Sequence, residues 1–286
     1  MSPMRVIAHR GSSHRWPEHT RAAYVQALGD GADGLECDVR LTADGVPVCW
    51  HDLTVDRTSD GAGPVHDHTL EELRALDVMR GAVAPRGEPW DGPAVLTLEE
   101  LVGLALGAGR PILLAIELKH PVPYGWAAED AVLDVLERAG WRPGEPGALE
   151  VSLMSFHPGS LIHLHRSVPA EHLMPLVDEE EAPSPAQEAA EPPLPGAEVL
   201  RGEAVALADA GAVGGVGPSV AYLSAHPARV ATWRENGIVL RVWTVDTLAD
   251  LDRCRRAGVD EVTTNEPAAI LSELRRSTRP GAPVRE

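Results

Sequence analysis

Short apolar runs of strand length alternate with helix-forming stretches eight times along this chain, and most of the runs close on a polar or charged residue. The runs fall at 4–9, 33–41, 111–118, 149–155, 173–177, 212–216, 238–245 and 259–264. Helical stretches are expected at 20–29, 97–107, 126–139, 158–166, 199–210, 226–236, 247–256 and 267–276. Strands separated by helices pair in parallel, because a parallel neighbour needs a crossover too long for a hairpin. Eight such units in 286 residues predict a single α/β domain, a (β/α)8 TIM barrel over residues 1–276, with a frayed tail at 277–286.

In a barrel of this kind the chemistry sits at the C-terminal ends of the strands. His9, Glu36, Asp38, Glu117, Lys119, Trp243 and Asn265 are all expected at such ends. Side chains alternate faces along a strand, so Glu36 and Asp38 share one face while Leu35, Cys37 and Val39 take the other. Glu117 and Lys119 share a face in the same way at the end of ILLAIELKH. Carboxylates crowded into one space repel unless a cation lies between them, and all-oxygen ligands suit a hard divalent ion, Mg²⁺ or Ca²⁺, better than zinc. Lys119 is the only lysine in a chain whose other long cationic side chains are all Arg, which suggests that a compact point charge is wanted beside Glu117. His9 and His51 flank the acids in sequence, and imidazole is the side chain best placed to move protons near neutral pH.

These residues resemble the glycerophosphodiester phosphodiesterase family. The likeness rests on His9-Arg10-Gly11, Pro17-Glu18-His19-Thr20, Glu36-Cys37-Asp38-Val39, Asp44-Gly45 and His51-Asp52. It continues through Asp56-Arg57-Thr58, Glu117-Leu118-Lys119, Val242-Trp243-Thr244-Val245 and Thr264-Asn265, in order over nearly the whole chain. The resemblance implies hydrolysis of a glycerophosphodiester to glycerol 3-phosphate and an alcohol, with His9 as general base and His51 as general acid. On this reading Glu36, Asp38 and Glu117 hold the metal, and Arg10 and Lys119 grip the phosphate. Glu18 orients Arg10 or a metal-bound water, while Phe156 and Trp243 wall the glycerol or alcohol pocket. One departure stands out: the family usually has Asn where this chain has His19, which bears on substrate preference more than on reaction class. Other readings are a related phosphodiesterase or phospholipase acting on lipid-like substrates, or a non-catalytic phosphodiester-binding barrel. The first calls for an exposed apolar rim and export, and the second for a missing histidine or metal carboxylate.

The sequence also bounds the partners. A formal charge of −18 argues against general affinity for nucleic acid or anionic membranes, so a bound phosphodiester needs a local positive centre. There is no run of apolar residues long enough to cross a bilayer, and no stable membrane insertion is expected. His9 comes too early to leave room for a signal peptide ahead of the first strand. The three cysteines form no close-spaced pair, and the chain reads as cytoplasmic. Residues 53–96 hold many turn formers and one convincing helix, 69–76; they read as a small insertion after the second strand, over the barrel mouth as in the family. Residues 178–198, acidic and with five prolines, read as a surface loop. The closely spaced pairs His66/His68 and His163/His165 are expected to be solvated.

Overall fold

The computed structural model describes residues 3–78, 95–179 and 196–277. Much of the expected insertion (79–94), most of the acidic loop (180–195) and the tail from 278 lie outside the described residues. The strands are β1 (Arg5–Ala8), β2 (Gly34–Leu41), β3 (Pro47–Cys49), β4 (Ile112–Leu118), β5 (Leu149–Ser155), β6 (Leu173–Val177), β7 (Gly215–Pro218), β8 (Val239–Val242) and β9 (Glu261–Thr264). All but β3 pair in parallel, and β1 bonds to both β2 and β9, so the sheet closes on itself as an eight-stranded barrel. β3 alone runs antiparallel, as a hairpin partner of β2 with Val39 opposite Cys49.

Helices cover the barrel between strands, and several start where the sequence carries a capping threonine. Thr20 Oγ accepts from the Ala23 amide at the head of helix Arg21–Asp30. Thr69 with Glu72, and Thr97 with Glu100, form complete capping boxes at Leu70–Ala75 and Leu98–Leu106. The expected strand at 212–216 is displaced to Gly215–Pro218, because its inward positions carry glycine and offer no apolar signal. A Cβ on Gly217 would meet Leu176 Cδ2 at 2.5 Å, and one on Gly215 would collide with Met174, so side chains of β6 fill the space those glycines leave. The expected strand 238–245 is shorter, and helix Val220–Ala225 was not expected.

Inward-facing side chains form three levels. At the N-terminal end of the barrel Arg241 Nε bonds Glu261 at 2.6 Å and its Nη1 reaches Ser152, while Arg5 also pairs with Glu261. The middle is apolar, with Ile7, Leu113, Ala115, Met154, Met174 and Leu176 in one cluster. Phe156 and Trp243 pack on top of it, edge to face, with ring centroids 5.5 Å apart. The main core lies outside the strands, between sheet and helices, where Leu35, Leu114, Ile116 and Leu118 are wholly buried. A separate cluster of Val48, Trp50, Val55, Val65, Leu73, Val78 and Val95 holds the described part of the segment after β3. Among the described residues no helix is long and apolar enough to cross a membrane.

Candidate active site

The acids converge. Asp38 on β2 lies opposite Glu117 on β4 in register, and each of Glu36, Asp38 and Glu117 offers an oxygen within 4.8 Å of the others. All three are buried, at 3%, 0% and 7% exposure. Glu36 and Asp38 lie within β2 rather than at its end, since β2 runs on past the barrel rim to pair with β3.

What surrounds these acids differs from one to the next. Asp38 collects two cations and an imidazole: its Oδ2 is 3.0 Å from Arg10 Nε and 2.8 Å from His19 Nε2, and its Oδ1 is 3.2 Å from Lys119 Nζ. Burial pushes the Asp38 carboxyl up, but Lys119 and Arg10 outweigh it and hold the group well below the usual range. Glu36 receives only the Arg10 backbone N–H, at 2.9 Å, and burial together with Asp38 drives it well above the usual range. Glu117, 2.7 Å from Lys119 Nζ, is nevertheless pushed up to about 8, because burial exceeds what that ammonium returns and Asp38 adds repulsion. Asp38 Oδ1 has no aligned hydrogen-bond donor despite Lys119 at 3.2 Å. A buried, orphaned carboxylate oxygen among all-oxygen donors fits a hard divalent cation. Lys119, expected to grip phosphate, makes its named contacts with two of these acids, Asp38 and Glu117.

The loop from His9 to Thr20 is held in unusual backbone conformations. Arg10 and His19 both adopt positive φ, 57° and 62°, which costs a non-glycine residue energy unless its surroundings enforce it. His19 N–H bonds the Arg10 carbonyl at 3.0 Å, tying the two together. Gly11, at φ 86°, packs so closely on Ala23 that a Cβ would lie 2.6 Å from its carbonyl carbon. His19, in the place where the family usually has Asn, is 5% exposed and spans from Asp38 to the Tyr24 hydroxyl, 2.8 Å from its Nδ1. Glu18, expected to orient Arg10 or a metal-bound water, accepts from Arg10 Nη1 at 3.2 Å.

The two imidazoles are held by unlike partners. His9 Nδ1 lies 2.8 Å from Asn265 Oδ1, and the Asn265 amide nitrogen donates to Asp246 at 2.6 Å. With the amide nitrogen so committed, Asn265 Oδ1 accepts, His9 carries its proton on Nδ1, and the Nε2 lone pair is the basic one. Burial and Arg10 pull His9 down to about 3, so the ring is neutral near pH 7. His51, delivered by the β2–β3 hairpin, lies 2.6 Å from Asp52 through Nδ1. Burial, Lys119 and Arg10 lower His51 as well, while Asp38 and Asp52 act against them. Sequence reasoning placed Asn265 at a strand end and Asp52 and Arg57 within motifs but gave none of them a role, and it did not single out Asp246. His163 and His165 find separate partners, Asp130 Oδ1 and the Val168 carbonyl, and His68 bonds the Ala62 carbonyl.

Comparison with known proteins agrees with this arrangement. The model of the glycerophosphoryl diester phosphodiesterase family matches residues 9–269. The probable glycerophosphodiester phosphodiesterase 1 of Mycobacterium tuberculosis is 38% identical over 272 residues, covering 94% of this chain and 92% of its own. The glycerophosphodiester phosphodiesterase of Caldanaerobacter subterraneus is 33% identical over 95% of this chain and 98% of its own. Among solved structures, a phosphodiesterase from Oleispira antarctica in complex with the product sn-glycerol-3-phosphate superposes with a TM-score of 0.71 at 25% identity, covering 96% and 97% of the two chains. By fold, by the residues gathered at the barrel mouth and by these matches, the chain belongs to the glycerophosphoryl diester phosphodiesterase family.

Proposed function

We propose that this protein hydrolyses glycerophosphodiesters to sn-glycerol 3-phosphate and an alcohol, using a divalent ion and two histidines. The observation that carries the reading is the convergence of three buried acids beside two imidazoles held by unlike partners. Glu36, Asp38 and Glu117 would hold the ion, Mg²⁺ or Ca²⁺ by their oxygen chemistry. When bound, it supplies Lewis-acid stabilisation of the negative charge that grows on the phosphoryl oxygens.

The chain's own groups then divide the work. Arg10, anchored by Glu18, presents a fixed cation to the phosphate, and Lys119 adds a second. His9 Nε2 takes the proton of the attacking oxygen as the new P–O bond forms. Neutrality near pH 7 suits that task. His51 gives a proton to the departing alkoxide as the old P–O bond breaks, and the Asp52 carboxylate stabilises its imidazolium. Burial and neighbouring cations lower both rings, and what separates base from acid is the partner of Nδ1, an amide oxygen for His9 and a carboxylate for His51. Phe156 and Trp243 close the apolar side of the pocket, with Trp243 fixed by its indole N–H on the Gly217 carbonyl at 2.8 Å.

The direct test is release of glycerol 3-phosphate from glycerophosphocholine. Activity is expected to vanish on complete chelation and to return with one added divalent ion. Turnover that persists in excess EDTA would remove the metal from the mechanism.

A second test reads the metal site without turnover. Burial and Asp38 raise Glu117 to about 8 despite Lys119, which favours a proton on it near pH 7, and an ion binds the carboxylate, so binding should expel that proton. Affinity should rise about tenfold per pH unit for each proton displaced. The Glu117 contribution to that slope should fade as the pH passes about 8. Calorimetry in buffers of different ionisation enthalpy counts the protons. Binding without proton release would place the ion elsewhere.

A further inference from the structure

Arg57 stands in the segment after β3, and its guanidinium reaches both sides of the site. Its Nε and Nη2 lie 2.5 and 2.9 Å from the two Asp52 oxygens. Its Nη2 and Nη1 lie 2.6 and 3.2 Å from the two Glu18 oxygens. Asp52 in turn holds His51 at 2.6 Å, and Glu18 holds Arg10 at 3.2 Å. Charges therefore alternate in sign from Asp52 through Arg57, Glu18 and Arg10 to Asp38.

The geometry points to Arg57 as a positioning residue that clamps Asp52 to Glu18 and so fixes His51 relative to Arg10 and the bound ester, an inference that rests on His51 being the general acid. His51 follows a strand of only three residues. Its backbone carbonyl is tied by Arg40 Nε at 2.9 Å, but Nδ1 of its ring is set by Asp52. Asp52 needs an orienting partner of its own, and a planar fork that meets a carboxylate at two points fixes direction as well as distance. Arg57 is 43% exposed, so these pairs add little to stability, and what the fork contributes is orientation. Burial would raise the Asp52 carboxyl, yet the bonds from His51 and Arg57 hold it at about 2, leaving an anion to face the His51 imidazolium.

The experiment compares Arg57→Met, Arg57→Lys and His51→Ala on two esters. One is glycerophosphocholine, whose alkoxide must be protonated to leave. The other is a glycerophosphoryl 4-nitrophenyl ester, whose phenolate leaves without a proton. Arg57→Met should lower kcat on the alkyl ester by about 10- to 100-fold, the cost of a misplaced catalytic group. KM should move little, and the loss should largely vanish on the aryl ester. Arg57→Lys keeps the charge without the fork and should fall between; it carries the test if the Met variant does not fold. In the His51→Ala background Arg57→Met should add almost nothing, since both act through one group.

Equal losses on both esters for Arg57→Met, or full additivity with His51→Ala, would overturn the inference while leaving His51 as the acid. So would unchanged turnover. If His51→Ala itself loses equally on both esters, the acid assignment fails, and the reason given for Arg57 fails with it.

Discussion

Replacing His51 with Ala is expected to lower turnover on an alkyl ester by about 10² to 10⁴, the usual worth of a positioned proton donor. Fold and metal binding should both survive. The side chain is 19% exposed and its named hydrogen bond goes to Asp52, which keeps Arg57 as a partner after the ring is gone. The Arg40 bond goes to the His51 backbone and survives the substitution. The hydrogen bonds and ion pairs of the three acids run to Arg10, His19 and Lys119, so their grip on an ion should be intact. Melting temperature and ion affinity measured beside kcat separate lost chemistry from lost structure. A variant that turns over near the normal rate would remove His51 from the acid role. The same change at His9 should be equally severe, for Asn265, itself held by Asp246, fixes Nδ1 of that ring.

Which parts of this site could be read in advance follows from where each residue's partner lies. Glu36 and Asp38 were legible because strand periodicity alone puts them on one face, and Glu117 because an apolar run ends there in charge. Thr69 and Thr97 announce their helices through a glutamate three residues on, a signal contained in four consecutive positions. Asn265, by contrast, sits 256 residues from the His9 it orients, and Arg57 lies 39 from Glu18. Such pairings exist only once the barrel has closed. The sixth barrel strand, β7, was expected a few residues early for a different reason. Gly215 and Gly217 give way to Met174 and Leu176, so the apolar signal of that layer is carried by the neighbouring strand. The buried Arg241, Glu261 and Ser152 contacts were likewise illegible, since each belongs to a separate strand. His19 was noticed only as a departure from a pattern; its reach to Asp38 and Tyr24 required the left-handed turn of the loop.

The unequal surroundings of the acids lead to the last prediction, in which two nearly isosteric changes should have the same effect on activity and different effects on the metal-free fold. Asp38→Asn and Glu36→Gln each remove one of the carboxylates proposed to hold the ion, and each should reduce turnover by on the order of 10² to 10³, as loss of a single charge-stabilising element does. In the metal-free protein Asp38 is the anion against which Arg10 and Lys119 are arranged. Removing its charge leaves buried cations short of a partner, which costs about 3 to 5 kcal/mol when a buried pair is broken outright. Loss of the Asp38 charge removes a repulsion that raises Glu117, leaving Glu117 freer to ionise against Lys119, and Glu18 still holds Arg10, so the loss should come toward the lower end of that range. Among the described residues Glu36 has no cationic side chain in hydrogen-bond contact, only the Arg10 backbone N–H. Its folded value is raised, so its charge opposes folding, and that cost grows as pH rises above the value in the unfolded chain. A neutral Gln removes this cost, and Glu36→Gln should be as stable as the parent or more so, increasingly at higher pH. Added ion should then raise the melting temperature of the parent strongly and of either variant weakly. Denaturation with and without metal, at pH 6 and pH 8, decides the matter. Equal destabilisation by the two substitutions in the metal-free protein would mean that Asp38 does not organise the cations.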